Sequence, residues 1–106
     1  LGVQRRVQFA RALVARPKLL LLDEPASGLR AGERNELESL IRELASGGMT
    51  VLLVEHDVGF VMRLSDRITV LDLGSVIAEG VPEEIRKNER VVEAYLGTKE
   101  HHASRS

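Results

Sequence analysis

The sequence predicts an α/β fold with a parallel βαβ core, followed by a β-hairpin and C-terminal helices. Three observations predict it. Two short apolar runs of strand length, 19–23 and 50–55, are bounded by polar residues, as in strands of a parallel sheet buried on both faces. Between them, Leu37, Leu40, Ile41 and Leu44 recur at helical spacing. Beyond them, the β-rich segments 67–72 and 75–79 flank Leu73-Gly74, a hairpin pattern.

Each element follows from local chemistry. Val3, Val7, Ala10 and Val14 recur at helical spacing, with Phe9 and Leu13 beside them, so a helix is expected over 3–15. Arg16 precedes Pro17 and is pushed out of the α region, which ends that helix. Pro25 has no N–H for a ladder and stops the first strand. Residues 26–32 hold two glycines and read as a loop. A helix is expected from about Glu33 to Ala45, ended by Gly47-Gly48. Asp57 suits the N-cap of a short helix over 58–64. Pro82 with Glu83 and Glu84 marks a further helix start. That helix is expected to run to about Leu96 with a break near Asn88, Gly97 ending it. Residues 98–106 are polar and are expected to form a disordered tail, His101-His102 included.

Composition excludes several classes. A net charge of −1 gives no case for a nucleic-acid partner. The absence of cysteine excludes disulfides and thiolate metal sites. No apolar run approaches the ~18 residues of a membrane span.

A right-handed βαβ crossover places Asp23-Glu24 and His56 at one carboxyl edge of the sheet, where ligands bind in such folds. A polar strand end would account for the acids alone, and a structural histidine for His56 alone. Together they fit phosphoryl transfer to water, which needs charge neutralisation, a positioned water and a base. Asp23 suits a Mg²⁺ contact through water, Glu24 suits the base, and His56 suits a donor to the γ-phosphate.

These motifs, in this order, resemble the C-terminal half of an ABC-transporter ATP-binding subunit. Residues 19–25 are similar to the family's Walker B strand and catalytic glutamate, 26–30 to its D-loop, and 54–57 to its switch-histidine region. Gln4-Arg5-Arg6 with 10–13 resembles the helix after the signature motif. Within the family, Glu55-His56-Asp57, Val61-Met62, 65–68, Ala78-Glu79-Gly80 and 94–97 most resemble branched-chain amino-acid importers. Lipopolysaccharide-export ATPases are similar in this half; an ABC ATPase without a membrane partner is a second alternative. A non-catalytic remnant or regulatory interaction domain is a third, against which the intact Asp23-Glu24 pair and His56 argue. The chain departs from the pattern at Val3, where glutamine is usual, and at Arg30, where many members have Asp. Only the tail of the signature is present, in Leu1-Gly2, and the first residue is Leu rather than Met.

The resemblance implies a partial P-loop NTPase domain over 1–97, a fragment inactive alone because residues 1–106 hold no P-loop. It implies catalytic roles for Glu24 and His56, nucleotide contacts from Gly2, Gln4, Ser27 and Gly28, and Asp23 as the metal residue. It further implies ATP and Mg²⁺, a head-to-tail dimer with a second ATP-binding subunit, transmembrane permease subunits, and a cytoplasmic place at the inner face of the membrane. Finally, it implies that 19–23 pairs in parallel with 51–55, that the missing P-loop strand lies between 51–55 and 67–72, and that no ladder joins those two. With strands ~4.8 Å apart, that leaves a gap of roughly 10 Å and a poorly stable fragment.

Overall fold

A computed structural model describes residues 1–96; the helix end at Gly97 and the tail over 98–106, with His101-His102, lie outside the described residues. The chain forms two compact units, the first Leu1–His56 and the second from Asp57 onward.

In the first unit, α1 (Val3–Val14) leads to β1 (Leu19–Asp23), α2 (Ala31–Ser46) and β2 (Thr50–Val54). β1 and β2 pair in parallel, with Leu19 opposite Thr50 and Asp23 opposite Val54, as the sequence predicts. α2 starts two residues earlier than expected, because Glu33 at its third position accepts the Arg30 N–H (3.3 Å) and so caps the start without Ser, Thr or Asp at the N-cap. Its stripe packs as read, with Leu37 and Ile41 buried.

One expectation fails. The strands are not buried on both faces: Leu20 is buried, whereas Leu19, Leu21, Leu52 and Val54 are 50–61% exposed. α2 packs against β2 and closes one face, and successive side chains of a strand point to opposite faces, so alternate residues stay open. The apolar stripe of α1 is likewise uncovered, with Val3 and Val14 exposed.

In the second unit, Asp57 caps α3 (Val58–Leu64) by accepting the Phe60 N–H (3.2 Å). β3 (Ile68–Asp72) and β4 (Ser75–Gly80) form an antiparallel hairpin with a bulge between Val70 and Leu71. β3 makes its ladder with β4, and β2 with β1, so no ladder joins β2 to β3 among the described residues. α4 (Pro82–Lys87) stops at Asn88, whose side chain caps α5 (Glu89–Val91), and a π-helical turn, Val92–Leu96, follows. Ile68, Ile85 and Val91 form the buried core, packed by Val61, Met62, Val70, Ile77 and Ala78.

The hairpin turn has positive φ at both Leu73 (50°) and Gly74 (80°), the geometry that Asn-Gly serves best. Leu73 is 98% exposed and gains nothing from its side chain there. Leu73→Asn is therefore expected to stabilise the protein by about 1 kcal/mol, read as a raised denaturation midpoint at unchanged m-value. A lowered midpoint would show that the turn conformation is wrong.

Candidate functional site

The parallel register brings the ends of β1 and β2 level, and the chemistry gathers there. Glu24 follows β1 directly and donates its N–H to the Val54 carbonyl (2.7 Å). Its carbonyl accepts the Ser27 N–H (3.1 Å), turning the chain back. This turn holds Glu24 at φ 47°, in the left-handed region that costs a bulky residue about 1–3 kcal/mol. The side chain so placed puts Oε1 3.5 Å from His56 Nε2. Both groups are exposed, His56 at 73% and Glu24 at 51%. An exposed pair is worth only ~0–1 kcal/mol, too little to offset the backbone cost. The backbone cost at Glu24 is therefore not offset by its contact with His56, and the turn brings a carboxylate and an imidazole to one point at the sheet edge.

Glu55, which the sequence offers only as part of a motif, is a third member. Its side chain is 1% exposed. Oε2 accepts the Ala26 N–H (3.0 Å) and Oε1 the His56 N–H (3.2 Å). The only one-dimensional signal for it is an acid closing an apolar strand directly before a histidine.

Ligand atoms of Glu24, Glu55 and His56 lie within 4.8 Å of one another. An imidazole in that set suits borderline metals rather than Mg²⁺, which takes hard oxygen donors. Asp23, exposed at the end of β1 and outside that trio, offers such a donor.

The four residues expected to contact nucleotide come together elsewhere in the same unit. Gly2, Gln4, Ser27 and Gly28 line one open cleft of about 410 Å³, with Arg5 and Glu33 among its walls. Gly28 has φ 75°, which glycine adopts without strain. Arg5 reaches from α1 to the loop, donating to the Pro25 carbonyl and to the Ser27 carbonyl (2.6 Å from Nη2). No spacing pattern separates Arg5 from Arg6 or Arg11, so its role was not legible. Asp23 lines neither the cleft nor the Glu24–His56 cluster.

Comparison with known proteins finds similar sequences and a similar fold. The family described as "Branched-chain amino acid ATP-binding cassette transporter" matches residues 75–101. The high-affinity branched-chain amino acid transport ATP-binding protein LivG of Salmonella typhimurium is 52% identical over 97 residues, 91% of this chain. The corresponding protein BraF of Pseudomonas aeruginosa is 50% identical over the same share. The chain matches the C-terminal part of an ABC-transporter ATP-binding subunit. It spans 38% of the length of both relatives. The fold agrees: the ADP conformation of MJ1267, an ATP-binding cassette of an ABC transporter, superposes with a TM-score of 0.78 at 31% identity, covering 92% of this chain and 41% of that one. The ABC ATPase fold expected from the motifs is thus the fold observed. Among the described residues, no helix is long and apolar enough to cross a membrane.

Proposed function

We propose that these residues serve in an ATP-hydrolysing subunit of an ABC transporter that powers uptake of branched-chain amino acids. The observation that carries the proposal is the Glu24–His56 pair, 3.5 Å apart at the carboxyl edge of a parallel sheet. Identity of 50–52% to BraF and LivG supports the choice of solute class.

In this mechanism Glu24 takes the proton of the attacking water as the water oxygen bonds to the γ-phosphorus and the bond to the bridging oxygen breaks, releasing ADP and phosphate. His56 donates a hydrogen bond toward the γ-phosphate while orienting that water. Asp23 would hold Mg²⁺, which when bound would neutralise phosphate charge. The cleft of Gly2, Gln4, Ser27 and Gly28 serves the nucleotide held by a second ATP-binding subunit, since glycines let backbone N–H groups approach phosphate closely. Permease subunits and a solute-binding protein complete the assembly, with the ATP-binding subunit at the cytoplasmic face of the membrane.

The test is leucine uptake into vesicles carrying the full-length subunit with its permeases and solute-binding protein. ATP inside the vesicles should drive accumulation of labelled leucine, isoleucine or valine, and its omission should stop it. ATP-driven transport of an unrelated solute, with none of these three taken up, would overturn the solute assignment and leave the hydrolytic one standing.

A further inference from the structure

We infer that Glu55 is a positioning residue that locks the catalytic carboxylate and the histidine into one register; this rests on the functional reading of Glu24 and His56 above. Glu55 touches neither reacting group through a strong contact of its own, its Oε1 lying 3.8 Å from His56 Nδ1. What it holds is main chain. One oxygen takes the N–H of Ala26, two residues beyond Glu24, and the other takes the N–H of His56. A single rigid carboxylate therefore ties the loop that aims Glu24 to the segment that carries His56.

Three features make this a lock rather than an incidental contact. The carboxylate is 1% exposed, and its bond to the Ala26 N–H is partly shielded from competing water, whereas its bond to the His56 N–H lies at the surface. Ala26 is equally buried, at 1%, and brings its N–H to the acid with only a methyl group to accommodate. Glu24 sits in a costly left-handed conformation, so the turn around it relaxes unless something outside it fixes the next residues. Arg5 fixes the same loop from the other side through the carbonyls of Pro25 and Ser27. The carbonyls are thus held by a cation and the intervening N–H by an anion.

The consequence is specific. Loss of the Glu55 carboxylate leaves the Glu24 and His56 side chains chemically intact but removes one tie between their segments, so that their relative position rests on the β1–β2 ladder and the Glu24 N–H to Val54 carbonyl bond. A misplacement of about 1 Å at a reacting group costs on the order of 10²-fold in rate. ATP binding draws on other groups and stays.

The experiment is steady-state ATPase kinetics of the full-length subunit in its transporter, with Glu55→Ala, Glu55→Gln and Glu24→Gln side by side. Glu55→Ala should lower kcat roughly 10–100-fold while the KM for ATP stays within about threefold. Glu55→Gln keeps one acceptor oxygen and should fall between it and wild type. Should Glu55→Ala fail to fold, Glu55→Gln carries the test with a kcat lowered about 3–10-fold at unchanged KM. A purely structural role would instead lower the amount of ATP-binding protein and leave the rate per bound ATP unchanged, which would overturn the inference. If Glu24→Gln abolishes turnover while both Glu55 variants stay within about twofold of wild type, the inference fails and the functional reading survives. If Glu24→Gln itself turns over normally, the functional reading fails and takes the inference with it.

Discussion

In the full-length subunit, Glu24→Gln should reduce ATP turnover by about 10²–10³-fold or more while ATP remains bound. The substitution isolates one property. Glutamine matches glutamate in size and bears the same cost at a left-handed φ, so the turn at 47° and the bond from residue 24 to the Val54 carbonyl are preserved. Glycine at this position would relieve the backbone cost and alanine would empty the space, and either would mix conformational with chemical effects. Only the basic oxygen is lost with glutamine. The expected result is a closed, ATP-loaded dimer that fails to turn over, seen as stoichiometric nucleotide retention in a filter assay with no phosphate release. His56→Ala should act in the same direction and largely spare binding, because His56 stands 3.5 Å from the same carboxylate and, in the proposed mechanism, orients the same water. The two effects should not add, since the groups work as a unit. A kcat for Glu24→Gln within about tenfold of wild type would exclude Glu24 as the base.

What the sequence revealed of this site, and what it hid, follows from the kind of information each residue carries. Asp57 sits one residue before a helix and caps it through Phe60, and Leu73-Gly74 forms the turn it spells out; both are local events fixed by neighbours in the chain. Parallel pairing of β1 with β2 was legible from element order, and pairing set the 3.5 Å approach of Glu24 to His56. The exposed face of the sheet was not legible. Four consecutive leucines carry no period-two signal, so nothing in 19–22 separates buried Leu20 from exposed Leu19 and Leu21. Arg5 and Glu55 were hidden for a different reason. Each acts on backbone groups more than twenty residues away, and a backbone partner leaves no trace in side-chain pattern.

Residues 1–106 expressed by themselves should show no ATP hydrolysis at all and no saturable ATP binding below about 1 mM, an affinity of only −4.1 kcal/mol. The β- and γ-phosphates of bound ATP depend on the glycine-rich amides and lysine of a P-loop, and no such motif occurs in these residues. In the proposed mechanism Asp23, Glu24 and His56 serve a metal, a water and a γ-oxygen, but three exposed groups do not supply the missing phosphate ligands. The same polypeptide should also associate. Leu19, Leu21, Leu52 and Val54 form an apolar sheet face left at least half open, and each such side chain returns about 1.5–3 kcal/mol when fully buried. Together they forfeit several kcal/mol against a net stability of about 5–15 kcal/mol for an ordinary domain. Among the described residues each of β1 and β2 has one ladder partner, so a two-stranded parallel sheet presents an unpaired edge on both sides. Light scattering at micromolar concentration should therefore report oligomers or aggregates, and a Leu21→Lys, Leu52→Lys pair should reduce them by charging the open face. A monodisperse monomer that unfolds cooperatively and hydrolyses ATP, with the rate abolished by Glu24→Gln, would show instead that residues 1–106 bind phosphate by means other than a P-loop.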